Sequence, residues 1–215
     1  MSTPFAELVT KTDEARRSFE THAVVMDAVA HGMSAQRYRC LLIELYHVVW
    51  HFNPVCAAAA SRIQDVHRDV RYFLYEHMSE ESGHEEWVLN DLEAMGVVRE
   101  AARASAPGVF TAALCGYNYW SADRRHPCSV LGMVYALEVI ASVYGGAFSS
   151  AIRETLLLEG DRGTTFISSH ATMDTEHMVV LRKVLNTLDD PSALAAVVQA
   201  TNVNFHHFTR MFESV

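Results

Sequence analysis

The chain has 215 residues, half of them hydrophobic and only five proline, which suffices for one large domain with a sizeable buried core. A net charge of −9, with no long run of Lys or Arg, argues against a nucleic-acid partner. Cys40, Cys56, Cys115 and Cys128 are scattered with no CxxC pair. That argues against a zinc knuckle or a disulfide framework, and the expectation is reduced, buried thiols in a cytoplasmic protein. No signal peptide is expected, because the first residues lack a basic stretch followed by an apolar one. No membrane span is expected either, since Glu44 and Glu138 interrupt the most apolar segments.

In chain order, residues 5–31 read as a helix that ends near Gly32. Ser34 has the chemistry of an N-cap for a helix from Ala35 past Arg62, kinked at Pro54. Asp69 to Met95 reads as a third helix stopped by Gly96. A short helix is expected at 98–104, a break at Pro107-Gly108, and another helix at 109–122. After the connection Arg124-Arg125-His126-Pro127, Ser129 opens a long apolar helix to about Leu158. Gly160 and Gly163 mark a turn, 164–187 form a helix, and Asp189-Asp190-Pro191-Ser192 leads into a last helix over 192–213. No stretch alternates with period two for long enough to make a strand. The fold class is therefore all-α: a single domain over 1–215, bundled from seven or eight helices.

The chemistry concentrates in His170-Ala-Thr-Met-Asp174-Thr-Glu-His177. At about 100° per residue, positions i, i+4 and i+7 fall within an arc of roughly 60° on one helix face. Two imidazoles and a carboxylate there can grip a transition metal. Glu138 is flanked by Met133, Val134, Leu137, Val139, Ile140 and Val143, so its carboxylate must be paired, protonated or metal-bound. Glu44 is similarly isolated in Leu-Leu-Ile-Glu-Leu, whereas Glu81-x-x-His84 sits in a charged segment beside Glu80, Glu85 and Glu86. Acid-x-x-His pairs end at His47, His84, His126 and His177, and the pair at His126 falls in a loop. A lone Glu, Glu-x-x-His, a second lone Glu and Asp-x-x-His follow the ligand logic of di-iron carboxylate bundles. Three histidines and four carboxylates without a thiolate suit iron or manganese; zinc is chemically possible, but a structural zinc site usually closes with four ligands and seven candidates suggest two ions. Tyr46, His47, His51, Tyr135 and Tyr144 are candidates to orient the ligands, with core packing as the alternative role. Ala141, Ser142, Gly145 and Gly146 either leave room beside the metals or let helices pack closely.

On these residues the chain resembles the haem-oxygenase-like di-iron oxidases and oxygenases. They belong to a superfamily that also holds TenA-type proteins, the PQQ-synthesis protein and haem oxygenase. The stretch from His22 to Tyr38 is similar to that family's opening helix. The stretch from Leu42 to Phe52 resembles its first ligand helix, and Glu81-x-x-His84 with Trp87 its second. Glu138 fits the third ligand helix, and His170-x-x-x-Asp174-x-x-His177 resembles its most specific signature. The resemblance implies a haem-oxygenase-like bundle with seven metal ligands: Glu44, Glu81, His84, Glu138, His170, Asp174 and His177. It also implies two Fe(II), O2 as co-substrate through a peroxo-di-iron(III) species, and a possible external electron donor. The implied substrate is a small amino-acid-like or carboxylate molecule of natural-product biosynthesis, undergoing N-oxygenation, C–C cleavage, desaturation or nitrile formation. A homodimer without nucleic-acid or membrane partners is expected. The rival readings are a haem oxygenase with His22 as proximal ligand, a TenA-type hydrolase using Cys115 or Cys128, a ferritin-like iron store, and a non-enzymatic binding module.

Overall fold

The computed structural model describes residues 2–215, except for the side chains of residues 173–176. No strand occurs among the described residues, and the chain folds into the helical bundle read from its pattern. Pro4 in the first turn and the Thr3 hydroxyl, which accepts from the Ala6 N–H, start α1 (Pro4–Glu20). The single helix expected over 5–31 is broken at Thr21-His22, so α2 (Ala23–His31) is separate. Ser34 caps α3 (Ala35–Ala60) by accepting from the Arg37 N–H, and Pro54 lies inside that helix.

The second departure shapes the site. The helix expected over 69–95 is two helices, α4 (Arg68–Glu80) and α5 (His84–Ala94). Gly83 between them has φ +92°, a conformation that costs glycine little and other residues much. Then come α6 (Arg99–Arg103), α7 (Val109–Arg124), α8 (Val130–Ile140), a π-helical turn over Ala141–Gly145, and α9 (Gly146–Leu156). The chain closes with α10 (Thr165–Leu185) and α11 (Pro191–Ser214), whose N-cap Asp190 accepts from the Ser192 N–H.

α8 is the central element, packed against α3, α10 and α11. Gly132 makes its approach to α11 possible. A Cβ there would lie 2.3 Å from the Val197 carbonyl oxygen and 2.8 Å from the Ala200 Cβ. The continuous helix Pro127–Leu156 is long and apolar enough to cross a membrane, contrary to the expectation that Glu138 rules this out. Its most apolar window is 67% buried by the surrounding helices, as suits the core helix of a bundle.

Candidate metal centre

Two groups of potential ligands meet in the core. Glu81, His84 and His170 form one, and His77, Glu81, Glu138 and His177 the other, with ligand atoms in each group within 4.8 Å of one another. α4 ends at Glu80, so Glu81 sits on the turn and His84 opens α5. The expected i, i+3 pair on one helix is thus a pair across a helix break. It still closes, with His84 Nδ1 2.8 Å from Glu81 Oε2. α10 brings His170 to the same oxygen, with Nε2 3.5 Å from Glu81 Oε2 and 3.1 Å from His84 Nδ1. On the other side, His177 Nδ1 lies 3.2 Å from Glu138 Oε1 and 3.8 Å from Glu81 Oε1. His77 Nε2 lies 3.4 Å from Glu138 Oε1. Glu81 therefore turns one oxygen to each group.

His77 was missed by sequence reasoning. The available signal was His77-x-x-x-Glu81, an i, i+4 pair that puts both side chains on one face of α4. No acid precedes it at the spacing that marks the other candidates, and its role depends on α4 stopping where it does.

The donors fit a metal. With bonds of 2.0–2.2 Å, adjacent ligand atoms stand roughly 3.0–3.5 Å apart. Most of the separations above lie in or near that range. Two buried atoms aimed into the cluster, His77 Nε2 and Glu138 Oε2, have no hydrogen-bond partner, although their residues are only 2% and 5% exposed. Such orphans are costly in a core unless an ion takes them up. His170 Nδ1 lies 2.9 Å from the Phe166 carbonyl oxygen and donates to it, which fixes the ring with Nε2 turned toward Glu81. Burial lowers the His77 imidazole to about 4, against the field of Glu81, so the ring is neutral near pH 7. Burial pushes the Glu81 carboxyl up, but hydrogen bonding to His170 and His84 outweighs it and holds the group well below the usual carboxylate range. Burial raises Glu138, opposed by its hydrogen bond to His177.

The structure does not bring Glu44 to this cluster. Both its carboxylate oxygens accept from the Gly108 N–H, at 3.1 and 3.0 Å, so it anchors the start of α7. The side chain of Asp174 lies outside the described residues. The five residues considered for orienting roles make their contacts elsewhere. His47 Nε2 meets Ser105 Oγ at 2.9 Å, and His51 Nδ1 meets the Tyr119 hydroxyl at 3.0 Å. Tyr46 packs edge-on against His47, and Tyr135 against Phe5. The Tyr144 hydroxyl donates to Glu20, which also pairs with Arg16. Glu80, in the charged segment beside Glu81, comes within 3.6 Å of His177 Nε2 and 3.7 Å of His77 Nδ1. Glu86 binds Arg99 and Arg103 at the surface.

A cavity of ≈ 130 Å³ opens from the cluster, with Glu81, Glu138 and His170 in its wall and apolar side chains around most of the rest. The π turn contributes Ala141, Tyr144 and Gly145. The small residues serve both roles anticipated for them. Gly145 lines the cavity, and its Cα also packs so closely on α10 that a Cβ would lie 3.3 Å from the Ile167 carbonyl oxygen. Of the cysteines, Cys56, Cys115 and Cys128 are buried and reduced, but Cys40 is exposed, unlike the expectation for all four. A separate group of His67, His126 and Cys128 lies near Asp190, where burial pushes the Cys128 thiol up to about 12.

The profile of the iron-containing redox enzymes matches residues 39–204, a span that includes every member of both ligand groups. The chain belongs to this family. No curated protein matches it. Solved structures share the fold of this family member. A domain of unknown function with a haem-oxygenase-like fold from Shewanella denitrificans is 22% identical, with a TM-score of 0.84 over 95% of this chain and 88% of that one. A TenA homologue from Pseudomonas syringae is 16% identical, with a TM-score of 0.80 over 96% and 90%. Haem oxygenase-1 from Synechocystis, in complex with haem, is 15% identical, with a TM-score of 0.77 over 99% and 92%. At these identities the likeness is one of fold: a haem-oxygenase-like helical bundle.

Proposed function

We propose that this iron-containing redox enzyme is an O2-dependent non-haem di-iron oxidase or oxygenase. The carrying observation is that the two oxygens of Glu81 face two different groups of buried imidazoles. A carboxylate so placed would bridge two ions if both were bound. Glu81, His84 and His170 would hold one iron, and Glu81, His77, Glu138 and His177 the other. Asp174, on spacing alone, belongs to the same wall, and Glu44 is left out. Bound as Fe(II), the pair supplies two of the four electrons that take O2 to water, the others coming from the substrate or an external donor.

The chain's own residues prepare that chemistry. The Phe166 carbonyl fixes the His170 ring, and Glu80 lies beside His177 and His77 on the solvent side. The apolar wall excludes water from the face of the cluster that a small-molecule substrate would reach. A TenA-like hydrolase would need a reactive thiol, but burial pushes Cys115 and Cys128 up to about 12. A haem oxygenase would need His22 as an axial ligand, but its Nε2 lies 3.0 Å from Glu213 Oε1 and the cavity is far smaller than a porphyrin. Anaerobic titration with Fe(II), then a pulse of O2 followed by Mössbauer spectroscopy, tests the proposal. Both irons should turn ferric together. A stoichiometry well below two that persists with candidate substrates present, or irons that oxidise independently, would overturn it.

A further inference from the structure

A second set of metal-type donors meets away from the iron centre. His67 ends the one-turn helix Asp65–His67 ahead of α4, and His126 and Cys128 flank Pro127 in the turn that opens α8. Their ligand atoms lie within 4.8 Å of one another. Asp190, the N-cap of α11, sits beside them, with Oδ2 3.4 Å from His126 Nε2 and 3.8 Å from His67 Nε2. None of these residues takes part in the proposed iron centre, and His126 ends an acid-x-x-His pair that the centre leaves unused. Cys128 and His67 are buried, whereas His126 and Asp190 are partly exposed, so an ion can enter from solvent.

Two imidazoles, a thiolate and a carboxylate make four donors, the number that closes a structural zinc site. With zinc–nitrogen and zinc–oxygen bonds of about 2.0–2.2 Å and a zinc–sulfur bond of about 2.3 Å, tetrahedral neighbours stand roughly 3.3–3.7 Å apart. Both Asp190 contacts are already near that spacing. The thiolate favours zinc over manganese or iron(II). Burial keeps the metal-free Cys128 protonated, and the Asp190 charge adds to that effect. On binding, the S–H bond breaks, a zinc–sulfur bond forms, the proton leaves to solvent, and nothing is oxidised or reduced. The thiolate and the Asp190 carboxylate then balance the charge of the ion. His126 Nδ1 accepts from the Cys128 N–H at 3.2 Å, a long contact given up when Nε2 takes the ion and the ring proton moves to Nδ1. Arg62, the nearby cation, is turned to the carbonyl oxygens of Ala122 and Arg125.

We infer that His67, His126, Cys128 and Asp190 form a tetrahedral zinc site that ties together the starts of α4, α8 and α11. The metal-free full chain is titrated with Co(II), which takes the same geometry and absorbs visible light, and then with Zn(II). Tetrahedral cobalt bands and a thiolate-to-cobalt band should appear and be abolished by Zn(II). Both should persist in Glu81→Gln, where zinc should raise Tm by roughly 5–10 °C at 100 times its Kd. Calorimetry of that variant in buffers of different ionisation enthalpy should show one proton released per zinc. Cys128→Ala should abolish the thiolate band. Asp190→Asn keeps a good N-cap and loses the ligand charge. It and His126→Ala should each weaken zinc binding by more than the roughly 10–100-fold that loss of an outer partner costs. Circular dichroism checks that each variant is folded. No thiolate band in wild type, a band that survives in folded Cys128→Ala, or unchanged zinc affinity in folded Asp190→Asn or His126→Ala would overturn the inference. Failure of iron binding alone would sink the di-iron reading and leave this result standing.

Discussion

Replacing Glu81 by Gln separates a shared ligand from an unshared one. The glutamine has the same shape, and the Glu81 side chain is only 11% exposed, so the metal-free protein keeps its packing and an acceptor for His84. The loss of stability without metal should be about 1 kcal/mol. Metal binding shows the real effect. An ion at 100 times its Kd stabilises the folded state by about 2.7 kcal/mol per site. For a chain of this length that raises Tm by roughly 5–10 °C for one site and roughly 10–20 °C for two. Differential scanning fluorimetry with Mn(II), which avoids oxidation by air, reads the shift. Wild type should show the two-site rise, Glu138→Gln about half of it, and Glu81→Gln almost none. If Glu81→Gln keeps as large a shift as Glu138→Gln, the carboxylate is not shared and the two-ion geometry is wrong.

Glu44→Ala should leave the Mn(II) shift intact and cost about 1 kcal/mol, the worth of a carboxylate anchoring a helix start, measured by urea unfolding. A loss of metal binding would return Glu44 to the ligand set. Under native conditions a thiol reagent should label Cys40 quickly, and the buried Cys56, Cys115 and Cys128 only after denaturation. Fast labelling of Cys115 would reopen the hydrolase reading. Gly132→Ala should destabilise by roughly 1–3 kcal/mol, because the added Cβ meets the Val197 backbone oxygen and cannot be accommodated by a rotamer change. A neutral result there would mean that α8 and α11 slide apart readily.

The sequence carried much of this arrangement because several of its signals are local. The spacing of His170 and His177 is a property of one helix, and both side chains do reach the cluster. Glu138 declared itself by its apolar neighbours, and Ser34 by the helix that follows it. Glu44 failed for a non-local reason. An isolated acid in a greasy helix must find a partner, but its sequence cannot say whether that partner is a metal or the amide of Gly108, 64 residues on. His77 was hidden because its position depends on where α4 stops. That stop is set by a positive-φ glycine, which reads in sequence as one weak residue in a long helical pattern. Helix breaks at Thr21-His22 and Glu81-Gly83 fall within continuous amphipathic patterns, so periodicity alone merges the helices on either side.

The most direct test is anomalous diffraction at the iron edge from crystals soaked anaerobically in Fe(II). The account predicts two peaks, roughly 3.5–4 Å apart, with Glu81 between them, His84 and His170 on one, and His77, Glu138 and His177 on the other. A single peak, or iron at the His67, His126 and Cys128 group with none beside Glu81, would contradict it.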